Sequence, residues 1–305
     1  MPTIAVFISQ GDLGECAHQA VVHALSLNDR SLTIKVIARD AADIGAVLTH
    51  DERMHPQLTT HVIPYDTDSQ YAMSQLTAIL ADVAAVIAAP SSRQAFKERA
   101  AAGSMRALCA AMNSRYVTVR RLVYLSTPGI DSPPMPWSPA GKKLAAALAV
   151  GRAIRPDFRR ADAAVRDSGL EYTIVRPVGL DGGAKPRGAW TLLPAEDRHG
   201  PLEANVAPED VGMYMFQEAM RAHPRSGQRD VIVGWAPATR AGQAVSGSVA
   251  AAALEQSADP LARPRRRPAA PAAPVASFVD GRRPLAFARE GRRSRPERVP
   301  VVVIK

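Results

Sequence analysis

Short apolar runs alternate with segments of helical periodicity along the first 235 residues of this 305-residue chain. The apolar runs predict strands over residues 3–9, 32–39, 60–66, 83–90, 120–127, 171–177 and 230–235. Helical spacing predicts helices over residues 16–27, 74–83, 105–113, 158–169 and 207–220. Strands separated by helices favour a parallel sheet covered on both faces, so the expected fold is a doubly wound α/β sheet. Ligands bind such a sheet beyond the carboxyl ends of its strands, here in the loops after residues 8, 39, 66, 88, 126 and 177.

The composition of the chain changes near residue 238. Residues 241–305 carry 12 Lys+Arg and 5 Asp+Glu, a net charge of +7, whereas residues 1–240 carry 26 and 24, a net charge of +2. Stretches such as ARPRRRPAAPAAP have no apolar period and are typical of disordered chains. We therefore predict a single domain over residues 1–237 and a disordered basic tail over residues 238–305. The tail is either a solvated segment without a function or one that binds an acidic partner or RNA, and the nearly neutral body does not predict nucleic-acid binding.

The remaining composition bears on the compartment. No apolar run approaches the roughly 18 residues that a membrane span requires, and no basic region precedes the first strand, so we expect neither a membrane segment nor a signal peptide. The two cysteines, Cys16 and Cys109, are far apart and have no histidine cluster beside them. They indicate neither a disulfide framework nor a metal site. We expect a cytoplasmic protein, and we expect it to be a monomer.

Two glycines, Gly11 and Gly14, lie between the first strand and the first helix. At such a junction the backbone N–H groups and the helix dipole face an anion, as in pyrophosphate-binding loops. Such loops usually carry their first glycine where this chain has Ile8, and a β-branched side chain resists positive φ. Asp12 and Glu15 add carboxylates that would repel a phosphate unless they turn to solvent. The motif predicts an altered but usable phosphate loop.

The second strand ends in Arg39 and Asp40. A basic residue at this point suits the 2′-phosphate of NADP, whereas selectivity for NAD usually requires an acid at the strand end. Arg39 is either that contact or an exposed loop arginine.

Several stretches of the chain match the motifs of one known family. IAVFISQGDLG is similar to a strand followed by G-A-T-G-x-x-G, and VRDSGLEYTIVRPVGL is similar to L-R-x-S-G-L-x-[YW]-T-I-V-R-P-x-x-L over sixteen positions. Shorter matches are VIARD, YDTD, ADVAAVIAAP, RRLVYLST and ANVAPEDVGMYMFQEAM. Over about residues 3–235 the chain thus resembles the atypical short-chain dehydrogenases of the NAD(P)H-binding group, which includes NmrA-like proteins and reductases of the flavin reductase/biliverdin reductase B type. This resemblance implies a Rossmann-like fold, NADP as the cofactor and hydride transfer to a small aromatic or flavin-like acceptor.

The resemblance also implies roles for individual positions. The phosphate loop would contain Ser9, Gln10, Gly11, Leu13 and Gly14. Beyond the loop, the implied contacts are Arg39 at the 2′-phosphate, Asp66 beside the adenine, Ala88 and Ala89 at the nicotinamide ribose, Ser126 and Thr127 facing the nicotinamide, and Pro177 and Val178 opening the loop above it.

The sequence predicts the catalytic residues less clearly than the cofactor-binding ones. None of the six tyrosines is followed four positions later by lysine, so the Tyr-x-x-x-Lys acid pair of typical short-chain dehydrogenases is absent. Ser126 either orients a substrate or bonds its own turn. Asp162 either faces the active site or is a solvated helix carboxylate, and Cys16 either has its pKa lowered by the helix start or is a small packing residue. These residues leave two functions open, an NADP-dependent oxidoreductase and a non-catalytic dinucleotide sensor or interaction protein.

Overall fold

The structure is a computed structural model that describes residues 2–64, 69–90, 100–127, 130, 155–194, 202–203, 205–221 and 229–236. These residues form an eight-stranded sheet with the order β3-β2-β1-β4-β5-β6-β8-β7. The strands are β1 Thr3–Phe7, β2 Thr33–Ala38, β3 Leu58–Val62, β4 Ala85–Ala88, β5 Arg121–Leu125, β6 Glu171–Pro177, β7 Thr191–Pro194 and β8 Arg229–Gly234. All neighbouring strands are parallel except β7, which pairs antiparallel with β8. The predicted doubly wound, Rossmann-like sheet is confirmed, and its strand order reverses between β1 and β4, where such sheets bind ligands.

Seven helices are found in the described residues. They are α1 Asp12–Ser26, α2 Ala41–Val47, α3 His50–Arg53, α4 Gln70–Leu80, α5 Ala100–Met112, α6 over residues 155–166 and α7 Pro208–Met220. None of these helices has the length and apolar character needed to cross a bilayer. Gly169, three residues after the end of α6, has a φ of 71° and so adopts the left-handed conformation that glycine favours after a helix.

Two helices begin four residues earlier than apolar periodicity predicted. Helix α1 begins at Asp12 rather than residue 16, and α4 begins at Gln70 rather than residue 74. Periodicity marks only the buried face, whereas the first turn of α4 is set by a cap in which the Ser69 hydroxyl accepts from the N–H of Ala72. Helix α1 has no capping side chain and begins at the positive-φ turn of Gly11. The short helices α2 and α3 and the half-exposed edge strand β7 were not predicted, since none of them is long enough to show a clear apolar period.

The core has two layers, one on each face of the sheet. Successive residues of β1 alternate between them: Ile4 and Val6 pack with α1 and α7, whereas Ala5 and Phe7 pack with α4, α5 and α6. On the first face α7 crosses α1 so closely that a Cβ on Gly212 would lie 2.5 Å from the Cys16 carbonyl oxygen. This contact fixes the back of α1 and therefore the position of the loop at its N-terminus.

Candidate functional site

The turn after β1 is built around a buried residue rather than a strained one. The N–H of Ile8 donates to the Ile37 carbonyl at 3.0 Å, which continues the pairing of β1 with β2. Its side chain is fully buried in the layer that contains Ile4 and Val6. Among the described non-glycine residues only Asn28 has positive φ, so Ile8 needs no left-handed backbone. The interpretation of Ile8 as a strained substitute for a loop glycine was wrong, because the tight turn begins after it.

The two loop glycines meet geometric demands that no other residue could meet. Gly11 has φ 97° and ψ −176° as the N-cap of α1. A Cβ on Gly14 would lie 1.5 Å from the Ser9 carbonyl oxygen. The first N–H groups of a helix have no intrahelical acceptor, and Gly11 has no side chain with which to accept from them. The junction therefore fits the pyrophosphate of a dinucleotide, and Leu13 anchors it by packing against both core layers.

Ser9 and Gln10 hold the loop in place from within the protein. The Ser9 hydroxyl donates to the Ala89 carbonyl at 2.6 Å, and the Ala89 N–H donates to the Phe7 carbonyl at 3.2 Å. Gln10 hydrogen-bonds the carboxylate of Asp43. The side chains of Ala88 and Ala89 are buried, so a ligand at the end of β4 would meet backbone there.

The two acids of the first turn are Glu15, which bonds along the helix, and Asp12, which is exposed. The Glu15 carboxylate accepts from the Gln19 amide at 2.8 Å and lies 3.6 Å from His18 Nδ1, which directs it along the helix. Asp12 is exposed to solvent. The Glu15 carboxylate is thus engaged away from the helix start, where a phosphate would bind.

The end of β2 combines one cation with two carboxylates. Arg39 is partly exposed at this corner. The Asp40 carboxylate accepts from the N–H of Asp43 at 2.9 Å and so caps α2. Asp43 is buried, and burial and the nearby Asp40 raise its pKa, while Arg39 and Gln10 oppose the rise. Sequence reasoning missed Asp43, whose only signal was its position three residues after an N-cap.

Ser126 and Asp162 meet each other in the interior. Both are fully buried, and the Ser126 hydroxyl donates to Asp162 Oδ1 at 2.7 Å. Asp162 is therefore not a solvated helix carboxylate, and Ser126 does not bond its own turn. Burial raises the pKa of Asp162, and the charge of Arg176 opposes that rise. Their burial argues against direct contact with a substrate, and their assignment as catalytic residues stays a prediction.

Arg176 joins these residues to the neighbouring strands. Its Nη2 donates to Asp162 Oδ2 at 2.6 Å and to Asp230 Oδ2 at 3.1 Å, and its Nη1 donates to the Thr127 carbonyl at 2.9 Å and to Ser126 Oγ at 3.2 Å. We call Ser126, Asp162, Arg176 and Asp230 the Arg176 cluster. Sequence reasoning missed its central residue, although Arg176 stands inside the sixteen-position motif.

The Tyr124 hydroxyl lies in the same layer as the Arg176 cluster. This hydroxyl is buried without a hydrogen-bond partner. Its pKa is raised well above the usual value by burial and by the charge of Asp162. Both effects favour the neutral phenol over the phenolate.

The end of β6 differs from the expected loop. Pro177 is the last residue of the strand, and the Val178 N–H still donates to the Val233 carbonyl at 2.9 Å. The Val178 side chain is buried. The loop thus begins after Val178 rather than at Pro177, because pairing with β8 extends one residue beyond the proline.

A buried carboxylate holds the loop that follows β6. Asp210 accepts from the N–H groups of Arg187 and Gly188, both at 2.9 Å, and from the Trp235 indole at 2.8 Å. Asp210 was not selected as a site residue, although its place in the first turn of a helix was a signal. These three bonds fix the course of the loop beyond β6.

The other candidates divide into packing residues and undescribed ones. Cys16 is buried, and burial together with Glu15 and Asp12 raises the pKa of its thiol, so its interpretation as a packing residue is confirmed. Within the described residues no cluster of three or more metal-binding side chains occurs. Asp66 and the tail over residues 238–305 lie outside the described residues.

Comparison with known proteins decides the family. A sequence model of the NAD(P)H-binding family matches residues 14–221. The chain belongs to this family. The resemblance to atypical short-chain dehydrogenases is thereby confirmed. A search of curated proteins finds no significant match.

Solved structures of this family's fold are similar over most of the chain. A short-chain dehydrogenase/reductase from Veillonella parvula DSM 2008 in complex with NADP has 18% identity and a TM-score of 0.58, and the match covers 80% of this chain and 99% of that one. The oxidoreductase ylbE from Lactococcus lactis has 16% identity and a TM-score of 0.56, covering 84% of this chain and 97% of that one. At these identities the likeness shows the fold alone.

Proposed function

We propose that the protein is an NADP-dependent oxidoreductase that transfers hydride to a small aromatic or flavin-like acceptor. The observation that carries the proposal is the start of α1, where Gly11 caps the helix at a φ of 97° and has no side chain to accept from the first N–H groups. These N–H groups are suited to bind an anion such as a pyrophosphate, and the close packing of Gly14 on the Ser9 carbonyl holds the helix start in place. The bound cofactor would supply the hydride. The residues of this chain would bind it through the loop, orient it along the ends of β4 and β5, and exclude water with the loop after β6.

The preference for NADP rests on the corner at the end of β2. Arg39 offers a cation whose planar group can fork onto a 2′-phosphate, and Asp40 is already committed to capping α2. A solved structure with the same fold was obtained with NADP bound, which supports the same cofactor here. A charge-assisted contact of this kind contributes about 1.5–3 kcal/mol, or a tenfold to hundredfold preference.

Direct titration with NADPH and NADH tests the proposal. We expect Arg39→Ala to remove the difference between the two affinities while leaving NADH binding intact. Arg30→Ala is the matched control, because Arg30 is an exposed arginine outside the candidate site, in the turn that precedes β2. An unchanged NADPH/NADH ratio in Arg39→Ala would show that this corner does not read the 2′-phosphate.

A second function, a non-catalytic dinucleotide sensor, is favoured by one observation. Ser126 and Asp162 are fully buried and bonded to each other and to Arg176, so neither presents a free acid to a substrate. Stopped-flow assays with NADPH and flavin or quinone acceptors separate the two functions. Tight NADPH binding without oxidation by any acceptor of these classes would select the sensor.

A further inference from the structure

The carboxyl end of β5 presents two neighbouring side chains in different environments. Ser126 is fully buried, whereas Thr127 is partly exposed. In a Rossmann-like sheet this edge, one strand beyond the switch point at β1 and β4, is where the second half of a dinucleotide lies. Of the two residues, Thr127 is therefore the one whose side chain can meet a bound ligand.

The backbone of Thr127 is held by a side chain of β6 as well as by the pairing of the strands. Strand β5 ends at Leu125, and the Ser126 N–H makes its last bond to β6, to the Val175 carbonyl at 2.8 Å. Beyond that point the Thr127 carbonyl accepts from Arg176 Nη1 at 2.9 Å. The same nitrogen lies 3.2 Å from Ser126 Oγ. One guanidinium nitrogen thus holds two consecutive residues beyond the strand.

The guanidinium itself has little freedom to move. Arg176 is 6% exposed, and its other terminal nitrogen bonds Asp162 at 2.6 Å and Asp230 at 3.1 Å. Arg166 also bonds Asp230, at 2.6 Å, so the second carboxylate is held from α6 as well. With Nη2 held by two fixed acids, the other terminal nitrogen, Nη1, is directed toward Ser126 and Thr127.

We propose that Arg176 is a positioning residue: by holding the Thr127 carbonyl and the Ser126 hydroxyl, it sets where the Thr127 side chain meets the nicotinamide half of the cofactor. This inference rests on the proposed function. It gives the buried Ser126 and Asp162 a definite task, which is to orient the guanidinium rather than to touch a substrate.

The test compares two ligands that probe different halves of the site. NADPH contains both the adenine and the nicotinamide half, whereas adenosine 2′,5′-bisphosphate contains only the adenine half that would bind near Arg39. Lysine at position 176 keeps the charge but supplies a point donor that cannot serve both sides of the cluster. In Arg176→Lys we expect NADPH affinity to fall roughly tenfold while the affinity for the bisphosphate stays unchanged. We also expect the emission maximum of bound NADPH to shift, because that fluorescence comes from the nicotinamide.

Arg120→Lys is the control, since Arg120 also donates to a carbonyl, that of Met112, but is exposed and lies at the amino-terminal end of β5. A second variant, Thr127→Ala, removes only a partly exposed side chain and serves if Arg176→Lys does not fold. It should show the same selective loss of NADPH affinity. Equal losses for both ligands, or no loss for NADPH, would overturn the positioning role. If the unaltered protein binds the bisphosphate and NADPH equally poorly, the proposed function fails and this inference fails with it.

Discussion

The two ends of the candidate site, at the start of α1 and at the ends of β5 and β6, are formed by different parts of the chain. At the start of α1 the geometry is made by the backbone of Gly11 and Gly14, and the Glu15 carboxylate bonds along the helix to Gln19. At the ends of β5 and β6 it is made by buried side chains, with Arg176 compensated by Asp162 and Asp230. The first end depends on the absence of a Cβ, and the second depends on a balance of charges. Substitutions should therefore act through steric exclusion at one end and through unpaired charge at the other.

The largest effect is expected for Gly14→Ala. The added Cβ would lie 1.5 Å from the Ser9 carbonyl oxygen, a backbone atom that cannot move without displacing the loop. We expect the free energy of unfolding to fall by more than about 4 kcal/mol and dinucleotide binding to be lost. Chemical denaturation followed by circular dichroism measures the first, and NADPH titration measures the second.

Gly45→Ala provides the control for this variant, because a Cβ on Gly45 meets nothing within 4 Å. Within helix α2 it should stabilise the protein by about 0.5–1 kcal/mol. Equal stability of the two alanine variants would contradict the close packing of α1 against Ser9.

The charge balance at the other end is tested by Asp162→Ala. Removing this carboxylate leaves Arg176 buried with only Asp230 as an acidic partner within the cluster, and breaking a buried pair costs about 3–5 kcal/mol. Because Asp230 still pairs with Arg176, we expect a loss near the lower end of this range, about 3 kcal/mol. Urea denaturation at neutral pH gives the value.

A surface pair serves for comparison. Glu203 forms two hydrogen bonds with Arg187, whose side chain is 44% exposed. Glu203→Ala should cost no more than about 1 kcal/mol, because exposed pairs contribute little. If the two variants lose the same stability, the Arg176 cluster is not the buried network described above.

A smaller effect is expected for Ile8→Val, which distinguishes a core residue from a strained loop residue. Loss of one buried methylene should reduce the free energy of unfolding by about 0.5–1.5 kcal/mol. NADPH affinity should not change, because the Ile8 side chain packs in the core with Ile4 and Val6 rather than beside the loop. Calorimetric titration that shows tighter NADPH binding in this variant would restore the view of Ile8 as a defect in the loop.

The smallest effect concerns Asp43→Asn at the end of β2. Burial and Asp40 raise the pKa of Asp43 in the folded protein, so its charged form is disfavoured there. Below the pKa of the unfolded chain, about 3.9, the group is protonated in both states and costs nothing. As the pH rises through the pKa of the folded state, Asp43 becomes ionised in the folded protein and the loss of folding stability reaches its full size. Asp43→Asn should therefore stabilise the protein at pH 7 and not at pH 3.5. Thermal melts at the two pH values measure this difference. A gain in stability of the same size at both pH values would contradict the prediction.

The difference between the two ends also explains what the sequence could predict. The need for glycine at positions 11 and 14 arises from their immediate neighbours in the chain, so a local motif was enough to find the loop. The parallel sheet followed from the alternation of apolar runs. The bond between Ser126 and Asp162 joins β5 to α6, and the bond between Arg176 and Asp230 joins β6 to β8. No local pattern contains such pairs, so the cluster could be recognised only once the strands were side by side.

The error about Ile8 had a different cause. The alternation of residues along β1 predicts a core position for Ile8, whereas the loop motif predicts a glycine there, and the alternation was the correct guide.

The crossing of α7 over α1 at Gly212 has a consequence for the order of folding. The backbone of a helix near the end of the domain lies against Cys16 and Ala20 near its beginning. During synthesis from the N-terminus, α1 would leave the ribosome long before the helix that covers it. Contacts between such distant segments form late because a long loop must close first. The nascent chain would thus carry an apolar face of α1 exposed until α7 emerges, and the dinucleotide loop would reach its final form as one of the last events of folding.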